Sequence, residues 1–268
     1  MTSAIHAVTR DRHSAKKWLT PQNFSFAGDR HFVPITNAEV GHAARALPLA
    51  FVQAGDNYVL VAVLGLTPNR NLLVGPNGRW LGLYTPAYLR SYPFRLSRTN
   101  DDKLALCVDE ESGLVKDSAV GDQGHPFFDE AGGVAPETQR MMQFMTTLQQ
   151  AEQATAVGVR ALQEANLIEP WPLKLGSGEN AQSVAGLFRV NEAALNALEA
   201  EPLLTLRKAG ALALAYAQLI SAGNIQVLGS IMGAQDKANA QRMTVPEKSF
   251  LPEDDGSLKI DWNTFLKN

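Results

Sequence analysis

The sequence predicts an α+β fold: a strand-rich N-terminal half with tight turns, and a helix-rich C-terminal half that contains a β-hairpin. Three observations carry this reading. Up to about residue 134, short apolar and partly β-branched runs are divided by Gly and Pro. From residue 135 the composition shifts to Gln, Ala, Met and Glu, which are good helix formers. Strand and helix runs are therefore segregated along the chain instead of alternating, which is the α+β pattern.

Each element has its own local reason. Leu49–Val52 and Tyr58–Leu66 are apolar runs with Gly55, Asp56 and Asn57 between them, so they read as a hairpin. Thr67-Pro68-Asn69 ends the second strand. Asn71–Val74 and Arg79–Tyr84 read as two further strands around the Gly75-Pro76-Asn77-Gly78 turn. Lys103–Val108 is another strand, with Leu114–Lys116 as its expected partner.

The second half reads as follows. Pro136–Leu167 is a long helix with Met141, Met145 and Leu148 on one face. Pro170 and Pro172 stop it. Leu173–Leu175 and Ser183–Val190 then form a hairpin around Gly176-Ser177-Gly178. Asn191 caps a helix over Glu192–Leu198, and Pro202 opens another that runs to about Ser221. Ala211–Ile220 is apolar on nearly all sides, as a helix buried on most faces would be. The chain thus divides into a flexible N-terminal arm (1–30), a β-rich part (31–134), a helical part with a hairpin (135–230) and a polar C-terminal tail (231–268). Within that tail, Trp262, Phe265 and Leu266 form an apolar terminal anchor beside the acidic Glu253, Asp254 and Asp255.

Composition excludes several function classes. The 268 residues are 45% hydrophobic and 19% charged, which is ordinary for a folded protein with a sizeable core. Twenty-four Lys and Arg against 27 Asp and Glu give a net charge of −3, without the basic excess of a nucleic-acid binder. One cysteine excludes an intrachain disulfide framework. The first residues lack the basic start and unbroken apolar run of a secretory signal. Tyr58–Leu66 and Ala209–Ile220 are the most apolar runs, and both fall short of the roughly 20 residues that span a bilayer. The expectation is a cytoplasmic protein without membrane insertion.

Motifs of catalysis are sparse. No two of His6, His13, His31, His42 and His125 sit at ligand spacing, and no metal or cofactor is expected. Cys107 lies in an apolar strand with no basic neighbour to activate it. Gly176-Ser177-Gly178-Glu179-Asn180-Ala181 has dinucleotide-loop spacing, but a strand follows where a phosphate site needs a helix N-terminus.

The most distinctive stretch is Trp80 to Phe94, with aromatic residues, prolines and Arg90 close together, followed by Arg95 and Arg98. Such a cluster builds either a core corner or a recognition surface, since Tyr, Trp and Arg dominate interface hot spots. Tyr84, Tyr88, Arg90, Tyr92 and Phe94 are the candidate binding residues. A peptide or carboxylate would suit the arginines.

These residues also carry a resemblance. Val63-Leu-Gly-Leu66, Asn69-Arg-Asn-Leu-Leu-Val74, Gly78-Arg-Trp80 and Tyr84-Thr-Pro-Ala-Tyr-Leu-Arg-Ser-Tyr-Pro-Phe94 resemble the bacterial SapC family. Cys107-Val-Asp109 and Gly186-Leu-Phe-Arg-Val-Asn-Glu192 agree with it. The resemblance implies a link to surface layers through the family's name. It also implies a gene neighbourhood of TonB-dependent receptors, flavin-dependent halogenase-like proteins and cupin or JmjC-like oxygenases. It brings no catalytic residues.

The expected function is a non-catalytic binding or accessory protein of a nutrient-uptake or modification system. Its expected partner is a protein or peptide, and a homo-oligomer is compatible with it. The alternatives are a surface-layer structural protein, and an enzyme whose site gathers scattered residues such as Arg90, Cys107, Asp109 and His125.

Overall fold

The first strands lie where a flexible arm is expected. The computed structural model describes residues 5–99, 101–118, 123–175 and 182–244. The chain begins with β1 (Ile5–Ala7), α1 (Arg10–His13), β2 (Lys16–Trp18) and β3 (Phe32–Pro34). There follow α2 (Val40–Ala46), β4 (Leu49–Ala54), β5 (Asn57–Val63), α3 (Ala87–Arg90), β6 (Phe94–Arg98), β7 (Leu104–Asp109), β8 (Val115–Asp117) and β9 (His125–Pro126). The second half holds α4 (Pro136–Glu164), β10 (Ile168–Pro170), β11 (Leu173–Leu175), β12 (Gln182–Val184) and β13 (Phe188–Val190). It closes with α5 (Glu192–Asn196), α6 (Ala200–Lys208), α7 (Ala211–Ser221) and α8 (Ile225–Thr244). The class is α+β. Two compact units divide it, Met1–Ser230 and Ile231–Asn268, and the sheets and cavities described below belong to the first.

The predicted hairpin is present. β4 and β5 pair from Leu49↔Ala62 to Ala54↔Asn57, and Gly55 supplies the positive φ of the turn. They form the middle of a five-stranded sheet ordered β10-β13-β4-β5-β3. α4 and α7 pack against this sheet, and α2 packs against α7. At Gly158, α4 packs against the end of α6 and the start of α7. A Cβ there would stand 2.8 Å from Leu214 Cδ1 and 3.3 Å from the Ala209 carbonyl oxygen.

Two polar side chains of the apolar α7 have a structural task. β13 meets β4 only at Phe188↔Phe51, so backbone groups beyond that pair lack a ladder partner. Gln218 accepts from Val190 N–H at 2.9 Å and donates to the Leu49 carbonyl at 3.2 Å. Ser221 Oγ accepts from Leu49 N–H at 3.0 Å. Both side chains are fully buried, and they satisfy groups whose burial without a partner would cost about 1–3 kcal/mol each.

The smaller core explains the N-terminal strands. β1 pairs with β7, and β2 pairs with both β8 and β9. Trp18 is buried with Phe94, Leu106, Val108, Phe127, Met145 and Leu148. Its indole meets Phe94 edge-on at 5.0 Å, and its Nε1 donates to Thr138 Oγ1 on α4 at 3.0 Å. The flexible-arm expectation for 1–30 is therefore corrected over residues 5–18. Their polar composition conceals one large apolar side chain, whose burial contributes a few kcal/mol.

Other boundaries also move. Leu114–Lys116 does not pair with the Lys103–Val108 strand, because β8 pairs with β2. Asn71–Val74 and Arg79–Tyr84 make only the bridge Val74↔Trp80. The run Ser183–Val190 splits into β12, which pairs with β11, and β13, which pairs with β10. The turn at 176–181 lies outside the described residues, as do Glu253–Asp255, Trp262, Phe265 and Leu266. The polar tail expected from residue 231 is helical as far as Thr244. No charged side chain occurs from Ala209 to Gln235, and the helical stretch Ala211–Gln241 has the length and composition of a membrane-crossing helix. One face of α7 is nonetheless committed to the sheet through Leu214, Gln218 and Ser221.

Candidate functional site

The Trp80–Phe94 stretch folds as a loop followed by one helical turn. Trp80 Nε1 donates to the Tyr84 carbonyl at 3.0 Å, which curls the loop over the indole. Gly82 permits this, since a Cβ there would lie 2.8 Å from Trp80 Nε1. Pro86 then starts α3, and its carbonyl accepts from Leu89 and Arg90 N–H. Pro93, behind a cis peptide bond with Tyr92, precedes β6.

A buried carboxylate anchors this loop. Glu39, 5% exposed, lies just before α2. Its Oε2 accepts from Tyr84 Oη at 2.7 Å and from Ala87 N–H at 2.8 Å. Burial, with Glu39 beside it, pushes the Tyr84 phenol up to about 12. The imidazole of His42, one turn further along α2, stacks on the Tyr84 ring at 6.0 Å.

Between this loop and α4 lies a cavity of about 480 Å³. Glu39, His42 and Tyr84 line one side, and Phe144, Leu148 and Ala151 of α4 line the other. Arg90 and Leu83 also line it. Arg90 Nε donates to the Thr85 carbonyl at 3.2 Å, and the guanidinium lies 5.4 Å from the Phe144 ring centroid. Among the described residues, Arg90 has no carboxylate partner within ion-pair distance, whereas Arg12, Arg98, Arg140 and Arg189 each have one. Leu83 is 94% exposed.

The structure separates the five candidate residues. Tyr84 and Arg90 share the first cavity. Tyr88 and Tyr92 line a second, about 290 Å³, on the other side of the contact between α3 and α4 at Leu148. Tyr92 stacks on Phe26 with ring centroids 4.0 Å apart. Phe94 is 2% exposed and packs edge-on to both Trp18 and Phe127, so it is core. Pro93 ends the loop, and Phe94, the first residue of β6, also lines the second cavity with Tyr88 and Tyr92.

The scattered catalytic candidates do not converge on Arg90. Cys107 is buried in β7 between β1 and β6. Asp109 Oδ1 accepts from Glu111 N–H, and the His125 ring packs on Trp18 at 4.7 Å. Among the described residues, no group of three His, Cys, Asp or Glu side chains is placed to hold a metal ion.

Sequence reasoning missed Glu39, His42, Leu83 and Phe144. Glu39, His42 and Tyr84 are brought together by a loop closure that leaves no spacing signal. Leu83 carried a local signal, as an apolar residue in a Gly- and Pro-rich loop.

The fold and site define an α+β protein with an open apolar cavity rimmed by tyrosine and arginine. A family model described as SapC matches residues 8–228, and the chain belongs to the SapC family. Neither a curated protein nor a solved structure matches it.

Proposed function

We propose that the protein is a non-catalytic binding protein that holds a segment of a partner protein in the Tyr84–Arg90 cavity. It would act as a cytoplasmic accessory to an uptake or modification system. One observation carries the reading: an exposed leucine and an arginine with no carboxylate partner among the described residues line the same apolar cavity. An apolar side chain of the partner would enter between Phe144 and Leu148, and a carboxylate would meet Arg90. At about 480 Å³ the cavity has the size of a specific ligand site.

The test is capture of the tagged full chain from its native cells, compared with Arg90→Glu and Leu83→Asp variants. The reading expects a companion that both variants lose at unchanged melting temperature. A companion retained by both variants would move the partner surface elsewhere.

A second reading is an enzyme, favoured by the presence of His42, Tyr84 and Arg90 in one cavity. Against it, Glu39 spends Oε2 on Tyr84 and Ala87, which is a structural use. A turnover that His42→Gln abolishes without loss of binding would favour this reading.

A further inference from the structure

The second cavity has a charge pattern of its own. Arg30 and Arg95 line it together with Glu152, yet among the described residues no ion pair joins either arginine to that glutamate. Tyr88 and Tyr92 line the cavity with them. Burial, and after it the neighbouring Glu152 carboxylate, push the Tyr88 phenol up. Arg30 and Arg95 lie near the Tyr92 hydroxyl, where they oppose the upward push of burial and of Asp109. Glu152 and Gln149 line the cavity from α4, whereas Arg95 lines it from β6 and Arg30 from the segment before β3. Its apolar lining comes from Met145, Leu148 and Leu96. At about 290 Å³ it sits at the small end of ligand sites, the size of one amino acid and too small for a nucleotide.

We propose that this cavity binds a free zwitterionic α-amino acid with an apolar side chain, its carboxylate held by Arg30 and Arg95 and its ammonium by Glu152. Two arginines on one carboxylate give the planar, multidentate recognition that a single lysine cannot. The Gln149 amide, in the same lining, supplies a neutral hydrogen-bonding group. The side chain lies against Met145, whose flexible thioether adapts to ligands of differing shape. Leu148 lines both cavities, but the charged groups differ, and amino-acid binding and companion capture are separate readouts, so the two proposals fail separately.

The test is calorimetric titration of the full-length chain with free leucine, methionine and phenylalanine, and with the N-acetyl and carboxamide derivative of each. The expected result is saturable binding of at least one free amino acid. Loss of either charge from the ligand should weaken that binding by on the order of tenfold or more. Glu152→Gln should weaken the free amino acid but spare the N-acetyl form, and Arg95→Gln should spare the carboxamide. Both positions are exposed, so folding survives these changes. No saturable binding by any of the three amino acids would overturn the proposal. Equal affinity for a free amino acid and its N-acetyl derivative would overturn it as well.

Discussion

Tyr84 donates a 2.7 Å hydrogen bond to Glu39 across 45 residues of sequence, and the same carboxylate oxygen receives Ala87 N–H at 2.8 Å. This pairing ties the loop before α3 to the start of α2. It sets one wall of the first cavity and leaves Leu83 at the surface.

Removing the carboxylate leaves donors without partners. Glu39→Ala should cost about 3 kcal/mol in urea denaturation, because the buried Ala87 N–H and the half-buried Tyr84 hydroxyl both lose their acceptor. Tyr84→Phe should cost about 1 kcal/mol. A cost for Glu39→Ala no greater than that of Tyr84→Phe would show that the loop is held by other contacts.

The same contact predicts alkaline behaviour. The folded Tyr84 phenol titrates at about 12 against 10.0 for an unperturbed tyrosine. A raised folded value means the folded state holds the proton more tightly. The contribution is complete below pH 10 and is lost as pH rises through 12. Tyr88 and Tyr92 shift in the same direction. Tyr84→Phe should therefore lose less stability than the wild type between pH 10 and 12, measured by denaturation at each pH.

Acid stability should depend on Glu110. Arg12, Lys16 and the buried His13 all approach this carboxylate, and the Arg12 guanidinium leads in lowering its titration from 4.5 to about 2. A depressed carboxylate contributes stability above its unfolded value and loses it as pH falls through the folded one. Glu110→Gln should remove that pH dependence between 4.5 and 2. Burial also lowers the His13 imidazole, so protonating it opposes folding as pH falls below 6.5. Amide exchange in β1 and β2 is the local readout, and faster exchange in the variant is expected.

The N-terminal strands should be indispensable. Trp18→Ala removes a buried indole and the donor to Thr138, at a cost of about 3–5 kcal/mol. Trp18→Phe should cost less, because it keeps most of the apolar burial. If Trp18→Ala shifted the denaturation midpoint as little as a surface substitution, the smaller core would not depend on the N-terminal segment.

The legible parts of this fold were those fixed by local chemistry. Gly55 and Asp56 marked the hairpin, Pro136 marked the start of α4, and Asn191 capped α5, where its side chain accepts from Ala194 N–H. The long-range pairings were not legible. β1 and β2 are three-residue strands in polar sequence, and their partners lie about a hundred residues away. The aromatic stretch stands out in the sequence, but its spacing carries no mark of which ring turns inward. Phe94 went to the core because β6 begins there, while Tyr84 stayed at a cavity because Glu39 met its hydroxyl.

The most direct measurement places a photo-crosslinking amino acid at position 83 and irradiates the native cells. Leu83 is 94% exposed, so the replacement leaves the fold intact. A partner seated in the Tyr84–Arg90 cavity gives a crosslink to a defined protein, and that crosslink is lost when Arg90→Glu is added. No crosslink at position 83, or one that persists with Arg90→Glu, would contradict the claim that the Tyr84–Arg90 cavity receives a partner.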